Sequence, residues 1–384
     1  MVNTIVTLLA IVAGATPVQA ERWTVREELR IGSADDSAQA LTRVGDVLIG
    51  RDGLIYIAQP ADQTIRVFDD AGRLVRSIGR SGSGPGEFQM LQHIGFVRDT
   101  LYATDQALRR VSFFVPASGF VRTQALASPL IGTQPPEIYS PTVPSRLLPD
   151  GTSLVWPSIA VRWLAAGKNR IPMFRLSSDA MKLDTIAQAE FEVPNVVINF
   201  QGRGIGATKP FPDGPLYSFL VDGTGVLIVR RRVAAVRSAT FHVGKVDLAG
   251  DTVFLREIQY QPVPVSEVLI SEAVAQIHER LARRPPSPGP NDILTALRDG
   301  NHIPRTLPPV TEASSGSDGT IWLKRERTQA PRTVWQVLSP DGTLRATVEL
   351  GRNQSVKAVS GNTLIVTELD SLDVPYVVRY RILK

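Results

Sequence analysis

The sequence predicts an all-β protein, a six-bladed β-propeller built from four-stranded antiparallel blades. The main observation is a unit that recurs six times, a short turn followed by a run of apolar and β-branched residues that ends in polar groups. The units begin at Asp52, Asp99, Asp150, Asp222, Asp318 and Gly361. Recurrence every few tens of residues is typical of repeat architectures, in which neighbouring units share one core. Thirty Gly and 28 Pro in 384 residues also suit a fold with many tight turns.

The first repeat shows all four strands of a blade, expected at Val44–Ile49, Leu54–Ala58, Ile65–Phe68 and Leu74–Ile78. The last repeat supplies only three, at Val356–Val359, Leu364–Glu368 and Val377–Leu383. An additional strand, Trp23–Ile31, stands near the start of the chain. We therefore expect this N-terminal strand to close the ring as the fourth strand of the last blade, because closure removes open sheet edges.

The spacing of the units predicts two insertions. The intervals are 47, 51, 72, 96 and 43 residues, whereas a four-stranded repeat needs about 40–50. The excess falls in a Gly- and Pro-rich stretch at 187–214 and in a helical, Pro-rich stretch at 261–310, before the fifth blade. The second stretch predicts a helix from Ser266 to Arg283 and a shorter one from Asn291 to Gly300. The apolar stripe of the first helix is expected to pack on the propeller, and docking of a partner is the alternative.

Residues 1–20 are interpreted as a signal peptide. The apolar stretch Ile5–Ala15 is too short to span a bilayer, and Val18-Gln19-Ala20 offers small residues for cleavage. A membrane anchor is the alternative. The domain assignment is thus a signal peptide at 1–20 and a single propeller at 21–384. We expect an exported protein, periplasmic or extracellular, with no transmembrane segment after the signal is removed.

Composition excludes several classes of chemistry. The chain has no Cys, so disulfides, thiolate metal sites and thiol nucleophiles are impossible. A net charge of +5 is mild for this size and does not indicate nucleic-acid binding. No His-x-x-x-His or Gly-x-Ser-x-Gly pattern occurs. His93 is expected to be structural, and the glycine-rich stretch 202–206 is interpreted as a flexible binding loop.

One segment carries a family resemblance. Gly79–Phe88 reads Gly-Arg-Ser-Gly-Ser-Gly-Pro-Gly-Glu-Phe and is followed by a short strand that ends at Asp105. This pattern resembles the NHL repeat of six-bladed propellers, which has a glycine-rich connector and a Pro-Gly-Glu-Phe-like entry to the next blade. The resemblance covers residues 44–122 and implies the propeller fold. The overall layout looks like that of exported bacterial propellers of unassigned function.

The long connections indicate which end of the propeller carries the function. In four-stranded antiparallel blades, the connections between second and third strands and those between blades share one end. We call this end the long-loop face, because the stretches 124–144, 187–214 and 261–310 fall there, and the opposite end the turn face. Function usually lies where a rigid scaffold carries long loops. Cationic residues after the second strands are candidate contacts for an acidic ligand: Arg109, Arg230, Arg231, Arg232, Lys324, Arg325 and Arg327. The alternative is that they are solvated rim charges.

These observations favour a non-catalytic binding or scaffold propeller of the cell envelope or exterior. Its ligand would be a protein, peptide or glycan, and no cofactor is expected. The alternative is a metal-dependent lactonase or hydrolase like the propellers of the gluconolactonase type, which hold a divalent cation such as Ca²⁺ at the central channel. In this chain Asp105, Glu368 and Asp370 are the candidate ligands, since hard cations prefer oxygen donors.

Overall fold

A computed structural model describes residues 20–36, 39–126, 139–140, 143–156, 158–159, 170–179, 182–190, 195–231, 239–325 and 332–384. The first strand is β1 (Glu21–Ile31). Blade 1 contains β2 (Val47–Ile49), β3 (Ile55–Gln59), β4 (Thr64–Phe68) and β5 (Leu74–Ile78). Blade 2 contains β6 (Leu91–Val97), β7 (Thr100–Asp105), β8 (Arg110–Val115) and β9 (Gly119–Ala125).

Blades 3 and 4 follow, together with two additional pairs of strands that do not belong to a blade. A small pair is formed by β10 (Tyr139–Ser140) and β13 (Ser158–Ile159). Blade 3 contains β11 (Arg146–Leu147), β12 (Ser153–Val155), β14 (Arg170–Leu176) and β15 (Leu183–Glu190). A separate hairpin consists of β16 (Asn195–Phe200) and β17 (Arg203–Thr208). Blade 4 contains β18 (Leu216–Phe219), β19 (Gly225–Arg230), β20 (Thr240–Asp247) and β21 (Thr252–Gln259).

Two helices precede the fifth blade, as the sequence predicts. They are α1 (Glu267–Ala282) and α2 (Pro290–Asp299). Blade 5 contains β22 (Val310–Ser315), β23 (Ile321–Arg325), β24 (Arg332–Leu338) and β25 (Leu344–Gly351). Blade 6 contains β26 (Gln354–Ser360), β27 (Thr363–Leu369) and β28 (Pro375–Leu383), with β1 as its outermost strand.

The pairing of β1 confirms the predicted ring closure. Residues Thr24–Ile31 run antiparallel to β28 and complete blade 6. Residues Glu21–Trp23 continue past that blade and pair in parallel with β25, the outermost strand of blade 5. Blades 5 and 6 therefore form one continuous eight-stranded sheet, whereas each of the other four blades is a separate four-stranded sheet.

The core lies between neighbouring blades. The second strands β3 and β7 are almost entirely buried, because both of their faces pack on side chains. Tyr56 and Ile65 of blade 1 share a cluster with Phe88, Leu101 and Phe114. Face-to-face packing of twisted antiparallel sheets buries one inward-facing set of side chains from each sheet. Each blade is thus held by its neighbours.

The two insertions pack on each other. Helix α1 begins after Ser266, whose hydroxyl accepts a hydrogen bond from Leu269 N, and its bounds agree with the predicted helix. Its stripe packs against α2 and the β16–β17 hairpin, not on the blades as expected, in a cluster that includes Val196, Ile198, Ile277, Ile293 and Leu297. The prediction of a flexible loop at 202–206 is wrong as well. Those residues form the turn and second strand of the hairpin.

Candidate functional site on the long-loop face

The glycine-rich connector Gly79–Phe88, which leads into blade 2, is held by hydrogen bonds between its own residues. Phe88 N donates to Arg80 O (2.8 Å), and Phe88 O accepts from Gly82 N (3.0 Å). Gly79 has φ +79°, and a Cβ there would lie 2.2 Å from the Phe88 ring, so this position requires glycine. The Glu87 carboxylate accepts from Gly84 N (2.7 Å) and pairs with Arg80 (2.7 Å). These two contacts lower the pKa of Glu87.

Asp105 fastens the end of this connector. Its carboxylate is fully buried and accepts hydrogen bonds from the backbone N–H groups of Gln89 (2.7 Å), Met90 (3.3 Å) and Leu108 (2.8 Å). A carboxylate that accepts several backbone N–H bonds has few lone pairs left for another ligand. The structure therefore gives Asp105 a role in joining the connector to the second strand of blade 2.

The other two candidate metal ligands are engaged separately in blade 6. Glu368 pairs with Arg30 (3.3 Å) and accepts from Gln354 Nε2 (2.6 Å). Asp370 accepts from the backbone N–H groups of Leu372 and Val374 (2.8 and 2.9 Å). Within the described part of the chain, no three His, Asp or Glu side chains form a group that could hold a metal ion. The structure thus does not bring the three carboxylates together.

Polar side chains at the ends of second strands join consecutive blades. Four of them bond to the backbone where the first strand of the next blade begins. We call these contacts blade latches. They are Gln63 Oε1 with Leu91 N (2.8 Å), Gln106 Oε1 with Val143 N (3.4 Å), Arg231 Nη1 with Val310 O (3.1 Å) and Lys324 Nζ with Gln354 O (3.0 Å). In blades 1 and 2 the glutamine side chains accept these hydrogen bonds from backbone N–H groups. In blades 4 and 5 the arginine and lysine side chains donate them to backbone carbonyl groups.

Two of the predicted ligand contacts, Arg231 and Lys324, take part in blade latches. Arg231 is 7% exposed and Lys324 is 9% exposed, and Lys324 also forms an ion pair with Glu312 (2.7 Å). Both side chains bond to the backbone of the next blade, and Arg231 also lines the cleft described below. A long cationic side chain at a strand end can extend towards the neighbouring blade or towards solvent. The sequence carries no signal that distinguishes these two directions.

The other predicted cations that the structure describes, Arg109, Arg230 and Arg325, lie on blades 2, 4 and 5. Arg109 adopts a left-handed conformation (φ +47°) in the turn after β7 and is half-buried. Arg230 is exposed at the end of β19. Arg325 donates to Gln336 Oε1 (2.8 Å) and stacks over the Phe241 ring (4.9 Å). Arg232 and Arg327 lie outside the described residues, as do residues 1–19 of the predicted signal peptide.

A cleft of about 570 Å³ opens between the insertions and blades 4 and 5. Its lining includes Lys209, Asp213, Arg231, Tyr260, His302 and Arg305. Three cationic side chains face one carboxylate, so the lining is net positive. Sequence reasoning missed Lys209, His302 and Arg305. The available signal was that all three lie within or just beside the long insertions.

The two ends of the second insertion meet at the base of this cleft. Leu307 N donates to Val263 O (2.8 Å), and Val265 N donates to Arg305 O (3.2 Å). These two bonds bring the ends of the insertion together. The apolar cluster of the insertion is separate from the apolar clusters between the blades. The cleft wall is therefore held by backbone pairing at its base.

The described part of the chain contains no helix with the length and apolar character of a membrane-spanning segment.

Comparison with known proteins supports the fold. The model of a family described as 6-bladed beta-propeller (DUF5128) matches residues 38–127, which contain the NHL-like segment. A member of the DUF4221 family from Bacteroides vulgatus aligns with a TM-score of 0.50 at 9% identity, over 95% of this chain and 100% of that chain. No curated protein sequence matches.

Two further solved structures align over most of both chains. A protein from Bacteroides fragilis described as exported has a TM-score of 0.48 at 12% identity, over 94% of this chain and 96% of that one. A gluconolactonase from Xanthomonas campestris has a TM-score of 0.43 at 10% identity, over 94% and 98%. At such identities the likeness concerns the fold alone.

Proposed function

We propose that this chain is an exported, non-catalytic binding propeller that recognises an acidic segment of a protein, peptide or glycan in the cleft on its long-loop face. The observation that carries the proposal is the cleft itself, which the two insertions build over blades 4 and 5. Its volume of about 570 Å³ falls in the range of ligand sites on proteins. Export is supported by the apolar stretch and the small residues at Val18-Gln19-Ala20.

The lining favours an anionic ligand. Lys209 belongs to the first insertion and Arg305 to the second, and both line the cleft together with Arg231. Guanidinium and ammonium groups form strong charge-assisted hydrogen bonds with carboxylates. Tyr260 adds an aromatic surface, which combines contact area with a polar group at binding sites. An extended acidic segment fits this combination better than a neutral one.

The proposal is tested with a fluorescent deca-glutamate peptide, and deca-lysine is the probe of opposite charge. We expect the protein to bind deca-glutamate preferentially in fluorescence anisotropy at low salt. The double variant Lys209→Glu/Arg305→Glu should weaken that binding by about a hundredfold or more, because it removes two charge-assisted bonds that contribute about 1.5–3 kcal/mol each.

The matched control is Arg51→Glu. Arg51 is exposed on the turn face, where it pairs with Asp99 (3.1 Å). Its replacement removes a positive charge and adds a negative one away from the cleft. Equal weakening by Arg51→Glu would show a general charge effect, and equal affinity of the double variant and wild type would overturn the cleft as the binding site.

A further inference from the structure

A second cavity occupies the central channel of the propeller. Its volume is about 500 Å³, and it is lined by the first strands of five blades. The lining includes the segments 46–49, 93–96, 145–146, 217–219 and 357–360. It shares no residue with the cleft. The channel therefore offers a site that is independent of the one in the proposed function.

Bulges in the first strands place charged side chains in this channel. The register of β6 shifts between Leu91 and Ile94, a segment that contains His93. The register of β26 shifts around Lys357. In blade 1, Ala58 bonds to two successive residues, with Gly45 N donating to its oxygen and Ala58 N donating to Asp46 O, both at 2.9 Å. Bulges re-aim side chains and are frequent beside binding sites.

The one carboxylate in the channel lining, that of Asp46, already accepts hydrogen bonds from the protein. Asp46 Oδ2 bonds to His93 Nδ1 (3.2 Å) and accepts from Ile94 N (3.1 Å). The second ring nitrogen of His93 has no partner within the described part of the chain. Asp46 therefore fixes the orientation of the imidazole and leaves one nitrogen for a ligand.

The positive charge of the channel is not balanced. Arg146 lines the channel and donates one bond to Val221 O (2.9 Å), which leaves most of its five donors unused. Lys357 is half-buried, and its ammonium group has no hydrogen-bond or ion-pair partner among the described residues. A partly buried cation without a counter-charge is unfavourable. An anionic ligand would remove this cost.

Neutral groups narrow the class of ligand. Ser145, Trp156 and Ser360 line the same cavity. Hydroxyl groups bond to hydroxyl groups, and an indole ring offers a face for a sugar-like ring. We propose that the central channel binds a small hydroxylated organic anion, with its acidic group held by Lys357.

The test uses three probes of the same ring size with the full chain in isothermal titration calorimetry. Glucuronate carries a carboxylate, glucose 6-phosphate carries a phosphate, and glucose is neutral. At least one of the two anions should bind with a Kd below about 1 mM, and glucose should not. The anion that binds identifies the acidic group. Absence of binding by both, or equal binding of glucose, overturns the proposal.

Variants assign the binding to the channel. Lys357→Met should weaken it at least tenfold, while Lys357→Arg, which keeps the charge, should retain it. The control is Lys245→Met, since Lys245 is also half-buried but lies on β20, outside the channel. The Lys209→Glu/Arg305→Glu variant should bind the channel ligand normally. Equal loss in Lys245→Met, or loss in Lys357→Arg together with retention in Lys357→Met, would contradict the assignment.

Discussion

Two connections on the same face of this propeller differ in what they build. The connector at 79–90 leads from blade 1 to blade 2, and the insertion at 260–309 leads from blade 4 to blade 5. Both run from the outermost strand of one blade to the innermost strand of the next blade. The short connector places Phe88 in the core between blades and satisfies its own polar groups. The long insertion buries its apolar residues against a hairpin and leaves a cleft beside the blade.

The difference teaches how connection length shapes the face of a ring. A short connector has too few residues for a core of its own, so its apolar side chain must pack between blades and the surface above is filled. A long insertion has its own apolar cluster and needs the blades only at its base. It can therefore border a concave space. The concave part of the long-loop face lies where the insertions are, not where the NHL-like motif is.

Removal of the Phe88 side chain should have the largest effect. Phe88 is fully buried and lies 6.1 Å from the Phe114 ring. We expect Phe88→Ala to lower the free energy of unfolding by about 3–5 kcal/mol, measured by urea unfolding. Phe120→Ala is the control, because that ring contacts Phe114 as well but is 39% exposed. A similar loss in both variants would mean that the connector does not belong to the core.

Removal of the Asp105 carboxylate should have the second-largest effect on stability. Asp105→Ala leaves three backbone N–H groups without their acceptor, and we expect a loss of about 2–3 kcal/mol in the free energy of unfolding. The control is Asp99→Ala, at the exposed start of the same repeat. If the two variants unfold at the same urea concentration, the buried carboxylate does not hold the connector as the structure indicates.

The insertion should respond locally rather than globally. Ile277 is 1% exposed inside the cluster of α1, α2 and the hairpin. Ile277→Ala should reduce hydrogen-exchange protection in 195–208 and 267–299, with little change in blades 1 and 2. Val268→Ala, at a position 66% exposed on the same helix, should change neither. Equal loss of protection in the blades would show that the insertion is not a separate unit.

Acidification should have the smallest effect on the connector. The pKa of Glu87 in the folded chain lies below its ordinary value of 4.5 because of the Gly84 N–H and then Arg80. Its contribution to stability is therefore complete above pH 4.5 and is lost as the pH falls through the lowered pKa. Glu87→Gln should be less stable than wild type at pH 7, and the two should converge on acidification. A difference that stays constant with pH would refute this, and Glu279→Gln controls for loss of an exposed ion pair with Arg283.

The fold was largely accessible from the sequence, and the sites were not. Turn-plus-strand units depend on local chemistry, so the repeats, both helices and closure by Trp23–Ile31 could be predicted. The direction of Arg231 and Lys324 depends on the position of the next blade, which no local pattern contains. Lys357 enters the channel through a one-residue shift in register, and a shift of that kind leaves no periodic signal.

The parallel pairing of β1 with β25 and its antiparallel pairing with β28 have a kinetic consequence. Thr24 is paired with Leu383, about 360 residues further along the chain. During synthesis, this strand emerges long before β25 and β28 and finds its partners only after blades 5 and 6 have been made. Contacts of such long range slow folding and prolong the exposure of unpaired strand edges. The ring can therefore close only after the last strand of the chain has been made.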